Sequence, residues 1–250
     1  MSMDSDTSRR SFMRICLSAV ALVTATPRVL AEPRGVHRYQ RARLRDMRNR
    51  PILASGLTVG ETYVFHYPHV STPCFLIDLG KSVETDMRLR TEDGETYRWP
   101  GGIGPNRSIV AFSAICAHRM SHPAREVSFI NYRHRPVVFS DSEQRRVERS
   151  QVIYCCSEKS VYDPLRGARV LAGPARQPLA AILLEHGEDG TLSAVGTCGG
   201  ELFERFFREF GARLELEYRT PDIRRLVDGS TTVMPLAEFS QNQVACTAPS

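Results

Sequence analysis

A chain of 250 residues with 33 basic and 28 acidic side chains carries a formal net charge of +5. Seven arginines at positions 34, 38, 41, 43, 45, 48 and 50 account for that excess. The remainder is therefore close to neutral, and the charge gives no ground for a nucleic-acid partner. Beyond position 50 about 200 residues remain, enough for one domain with a proper core, and no internal repeat is visible.

Taken in chain order, the first element is a targeting segment. Ser8-Arg9-Arg10-Ser11-Phe12-Met13 is a twin-arginine motif, followed by an apolar run over 15–25 and small residues at Val29-Leu30-Ala31. The run is well short of the ~20 apolar residues a membrane-spanning helix needs. Residues 1–31 are therefore expected to be a twin-arginine export signal, or an anchor where it is not cleaved. That places the protein in the periplasm or on the outer face of the inner membrane, with membrane association through the N-terminus if the segment stays. Residues 32–56 follow as a basic linker with Asp46 the one acid among the arginines. It reads as an exposed tether that an anionic lipid surface or an acidic partner can meet.

Short β-prone runs then recur at 62–67, 74–79, 108–115, 127–132, 136–139, 151–154, 169–171, 180–185 and 191–195. Asp-Gly pairs at 93–94 and 189–190 are hairpin signals. This pattern predicts an all-β sandwich or barrel. One helix is predicted near the end, where Leu202, Phe203, Phe206, Phe207 and Phe210 recur at helical spacing opposite Glu204, Arg205, Arg208 and Glu209. Its aromatic stripe reads as a core contact. His66 and His69 flank Tyr67-Pro68 with no acid or nucleophile placed to build a triad, so they read as exposed loop histidines. The glycines of 99–105 form a turn, since no helix follows to cradle a phosphate.

The chemistry concentrates in two places. Cys116-Ala117-His118 is answered by Tyr154-Cys155-Cys156-Ser157-Glu158-Lys159-Ser160-Val161-Tyr162-Asp163-Pro164, and then by Gly173-Pro174-Ala175-Arg176-Gln177-Pro178-Leu179. These three elements, in this order, resemble the cluster-binding loops of the Rieske iron–sulfur family, in particular the Rieske subunits of cytochrome bc-type complexes and the small subunit of arsenite oxidase. In that family two thiolates hold one iron of a 2Fe-2S cluster and two imidazoles hold the other. The resemblance covers roughly 57–195 and implies a domain at 57–200, an antiparallel Rieske-type β sandwich with a small cluster-binding subdomain. Its loops would be 115–123 and 154–179, with an insert at 124–153 and a C-terminal helix and tail at 201–250. It assigns Cys116, His118 and one of Cys155 or Cys156 to metal. Ser160 and Tyr162 would tune the cluster through hydrogen bonds to sulfur, and the loop carrying Gly173 and Pro174 would cover it.

The departures matter as much. Positions 119 to 154, 36 residues, separate His118 from Cys155, about twice the family's usual gap, and the extra length is expected as an exposed loop or hairpin. Ser121 and Ser157 stand where respiratory members carry an interloop disulfide. The second histidine is missing. One register puts Cys155 on iron and Glu158 in the histidine position, with Lys159 replacing a glycine; the other uses Cys156 and Lys159. His122 or His134 would have to swing in otherwise, and a structural zinc at Cys116, His118, Cys155 and Cys156 is the rival metal. A carboxylate is a credible iron ligand, whereas a lysine must first lose its proton. Of the remaining cysteines, Cys74 reads as a buried thiol, and Cys198 with Cys246 as a pair that pins the tail. Hydroxylase chemistry is excluded, because no histidine follows position 195 to build a mononuclear iron site.

The resemblance thus implies an exported electron carrier or oxidoreductase subunit. It would take one electron from a quinol or donor subunit and pass it to a cytochrome or cupredoxin, as part of a larger complex and not as a catalyst alone. The alternative is a metal-free structural or docking subunit that keeps the fold without the cluster.

Overall fold

The computed structural model describes residues 35–246. The export segment expected at 1–31 lies outside the described residues. Among these, no helix is long and apolar enough to cross a membrane.

The largest sheet has eight strands, in the order Ser230–Thr232, Val36–Arg45, Leu192–Cys198, Ala181–His186, Ile109–Ser113, Pro73–Asp78, Thr62–His66 and Met234–Pro235. Neighbours are antiparallel except for Val36–Arg45 with Ser230–Thr232. Leu192–Cys198 and Ile109–Ser113 are buried along their whole length, as expected of central strands covered on both faces. A second, four-stranded antiparallel sheet runs Arg169–Ala172, Ser160–Asp163, Val152–Cys155, Ile130–Arg133. The molecule is all-β with a C-terminal helix, as the sequence pattern predicts.

One expectation is corrected outright. Much of the stretch 32–56, read as a mobile tether, is the ten-residue strand Val36–Arg45, paired on both sides. Arg41-Ala42-Arg43-Leu44-Arg45 alternates basic and apolar residues, which is the period of a strand. Ala42 and Leu44 are fully buried, while Arg41 projects to Glu185. The insert at 124–153 is more than an exposed loop. Ile130–Arg133 joins the four-stranded sheet, and only Val137–Ser140 with Arg146–Arg149 forms a separate hairpin around 141–145.

The helix Glu201–Tyr218 buries Leu202, Phe203, Phe206, Phe207 and Leu214 on one face. Three histidines meet that face edge-on: His69 at 4.9 Å from Phe207, His122 at 4.9 Å from Phe206 and His66 at 5.2 Å from Tyr218. His66 and His69 are therefore packing residues, not exposed loop histidines. Burial holds the pKa of both well below the ordinary value, at about 4, with Arg125 adding to the effect at His66. A histidine kept neutral in the fold and free to protonate when unfolded makes stability fall as pH is lowered from about 6.5 towards 4. For His66 that difference amounts to roughly 2–3 kcal/mol across the window. Urea midpoints at pH 7, 5.5 and 4 are expected to fall more steeply in the parent than in His66→Gln.

Candidate functional site: two thiols and an imidazole between two loops

The first loop continues from the buried strand Ile109–Ser113. It closes on itself through Met120 N–H to Cys116 O at 2.9 Å and Cys116 N–H to Ser121 O at 2.8 Å, with Met120 in the left-handed region at φ 55°. Cys116 is fully buried at its head. The second loop is the turn of a hairpin. Val152–Cys155 pairs with Ser160–Asp163 so that Cys155 faces Ser160, and residues 156–159 make the reversal. Lys159 sits at φ 62°, a conformation glycine favours, and Lys159 is also the position where the resemblance expects glycine.

Strand periodicity decides which vicinal cysteine belongs to the site. Ile153 and Cys155 turn into the main core with Cys116, whereas Val152 and Tyr154 turn into a second cluster with Phe139, Val161 and Ala172. Cys155 thus reaches Cys116, and Cys156 points away. The two thiols lie close enough to shift each other's titration, and the Tyr162 hydroxyl lies 3.2 Å from Cys116 Sγ while accepting the Ala117 N–H at 3.0 Å. The Cys155 thiol first, then Tyr162 and the N–H groups of His118 and Arg119, pull the pKa of the Cys116 thiol down to about 6 against the effect of burial. The neighbouring Cys116 and burial push Cys155 up. Tyr162 is raised well above the usual phenol range by burial and by the neighbouring Cys116.

Two buried polar atoms beside these thiols lack any partner: His118 Nδ1 and Ser160 Oγ. Leaving such atoms unpaired costs about 1–3 kcal/mol each, and six further buried side-chain atoms among the described residues are likewise without a partner. The cover is specific. Gly173 has φ 84°, and a Cβ there would lie 2.4 Å from Lys159 O and 2.6 Å from the Ser160 Cα. The Gly173-Pro174 segment is pressed directly on the second loop. Pro174, Ala117, His118, Arg119, Arg176, Arg205, Glu92 and Glu209 line a cleft of about 470 Å³ at the mouth of the site.

Other expected participants are elsewhere. Cys156 forms a disulfide with Cys246, so it is not a free thiolate, and the expected Cys198–Cys246 pairing is replaced; Cys198 and Cys74 are buried free thiols. The four-residue zinc set loses Cys156 for the same reason. The Glu158 side chain is exposed on the hairpin turn. Among the described residues, no three His, Cys, Asp or Glu side chains are gathered to hold a single metal ion. His122 is held by Met120 O at 2.9 Å and Glu217 at 3.4 Å, and His134 lies against Tyr132, so neither swings into the site.

Two contributors escaped the sequence reading. Arg205, on the polar side of the helix, donates to the carbonyls of His118 at 2.7 Å and Ala117 at 3.3 Å. Cys246 ties the tail to the second loop. Arg205 carries no signal in sequence, since its partners are backbone oxygens; Cys246 was expected to pin the tail, but with Cys198 as its partner in place of Cys156.

No family model matches the chain. Among solved structures it is similar to the soluble domain of the Rieske protein II (soxF) from Sulfolobus acidocaldarius. The identity is 24%, the TM-score 0.40, and the match covers 64% of this chain and 78% of that one.

Proposed function

We propose that this chain is a Rieske-type one-electron carrier, exported by the twin-arginine route and acting as a subunit or partner of a periplasmic or membrane-attached oxidoreductase. The observation that carries this reading is the meeting of Cys116 and Cys155 beside a buried, unpartnered His118 Nδ1. Cys116 and Cys155 would hold one iron of a 2Fe-2S cluster, and His118 with Glu158 the other. When bound, such a cluster supplies reversible one-electron transfer. Glu158 belongs to the same turn as Cys155, and its exposed side chain would have to turn inward to reach the iron. Tyr162, 3.2 Å from Cys116, would donate to it and draw charge from its sulfur, Ser160 would offer its unpaired hydroxyl, and Gly173-Pro174 would cover the pair. A carboxylate in place of the second imidazole removes an N–H, so the carrier has less means of coupling a proton to its electron. A quinol or donor subunit and a cytochrome or cupredoxin are the proposed partners.

The test is iron and acid-labile sulfide content with EPR of the reduced protein, purified after export through its native pathway. About two irons and two sulfides per chain and a Rieske-type spectrum are expected, abolished in Cys155→Ser and shifted in Glu158→Ala. An unchanged spectrum in Glu158→Ala removes that carboxylate from the iron. The exposure of Glu158 favours a second reading, a metal-free docking subunit, and folded protein with no iron selects it.

A further inference from the structure

We propose that the helix Glu201–Tyr218 is a brace for the first loop and that Arg205 is its positioning residue, a role that rests on the reading just given and deepens it. The helix grips the loop at both ends. At one end Arg205 Nη2 donates to His118 O at 2.7 Å and Nη1 to Ala117 O at 3.3 Å, straddling the backbone that carries the His118 ring. At the other end the His122 ring packs edge-on against Phe206 and Phe210, with centroids at 4.9 and 5.6 Å, and meets Glu217 at 3.4 Å. His122 in turn reaches back to Met120 O at 2.9 Å.

Between these anchors the loop is held by its own two backbone bonds and by the Tyr162 hydroxyl. No disulfide joins it to the second loop: Cys116 and Cys155 are free thiols, and Ser121 and Ser157 carry no sulfur. Arg205 is itself held in place. Its Nε donates to Glu209 at 2.8 Å, one turn further along the helix, and Glu92 lies at 3.8 Å on the far side. A rigid planar guanidinium suits this task, since its fork reaches two successive carbonyls at once. The polar face of the helix, which its sequence presents as ordinary surface, is thereby the part that sets the direction of the His118 imidazole.

The experiment uses the full chain with Arg205→Met and Arg205→Lys. Hydrogen exchange at the amides of 116–121 and alkylation of Cys116 by a small reagent are followed in metal-free protein, with Cys74 and Cys198 as internal references. Losing hydrogen bonds to a charged donor is expected to speed both by roughly tenfold or more in Arg205→Met, with an intermediate rate in Arg205→Lys. Exchange along 206–214 stays at the parent rate, which separates a loosened loop from an undocked helix. In iron-loaded protein the EPR line shape broadens in Arg205→Met. Unchanged loop exchange and unchanged Cys116 alkylation overturn the brace whether or not iron binds. Faster loop exchange in a parent protein that never takes iron upholds the brace and overturns the electron-transfer reading instead.

Discussion

Replacing Cys246 with serine is expected to lower the unfolding free energy by about 2–4.5 kcal/mol, the range for a cross-link closing a long loop. The cysteines it joins are 90 residues apart, so the bridge removes a large share of the unfolded chain's freedom. It also completes a set of weaker fastenings. Asn242 and Gln243 pair in parallel with Val127 and Ser128, Ser240 Oγ donates to Ala124 O at 2.6 Å, and Asn131 and Arg133 both donate to Val244 O. These bonds keep part of the tail in place once the disulfide is gone, which favours the lower half of the range. Urea unfolding of the parent, of Cys246→Ser and of the reduced parent measures the effect. Cys156→Ser is expected to cost the same, and the double variant no more than either single one. Coincident midpoints for oxidised and reduced parent would show that the cross-link carries no stability.

Gly173→Ala is expected to do the most harm at the site itself. The added methyl meets Lys159 O and the Ser160 Cα at separations real Cβ atoms do not tolerate, and both obstacles are backbone, so no side-chain rotation relieves them. Left-handed backbone adds about 1–2 kcal/mol for a non-glycine residue, and overpacking typically costs about 1–3 kcal/mol. Either the covering segment lifts or the turn carrying Glu158 and Ser160 is displaced, and both outcomes open the Cys155 thiol to solvent. The matched control is Gly190→Ala. Gly190 has nearly the same φ of 81° but open space around it, so only the backbone cost remains. Denaturant midpoints together with iron per chain separate the two. Gly173→Ala should lose several kcal/mol and, on the proposed electron-carrier reading, its iron, while Gly190→Ala should keep both its iron and most of its stability. Equal behaviour of the two variants would mean that the cover does not bear on the second loop.

The β framework was legible because alternation and turn residues state it locally. Each β-prone run predicted between 62 and 195 overlaps a strand, although Met87–Arg90, Thr96–Trp99, Arg146–Arg149 and Ser160–Asp163 were not among them, and the stripe of phenylalanines lies largely on the buried face of the long helix. The strand Val36–Arg45 was missed for a physical reason: its arginines dominate the composition, while only Ala42 and Leu44 report the inward face. At the site, the family resemblance pointed to Cys116, His118 and one of Cys155 or Cys156. It could not choose between Cys155 and Cys156, since that choice depends on which face of a strand looks into the core. Nor could it pair Cys156 with Cys246, a contact between segments distant in sequence. The grip of Arg205 on Ala117 and His118 was out of reach altogether, because carbonyl oxygens are the same at every position.

The fastenings of both loops come from residues beyond 200: Arg205 and Glu217 for the first, Cys246 for the second. During synthesis the ligand-bearing segments therefore emerge well before the parts that lock them. A nascent chain that has exposed only the residues before 200 therefore holds both loops without these three fastenings, and the loops reach their final rigidity only after the long helix and the tail have docked.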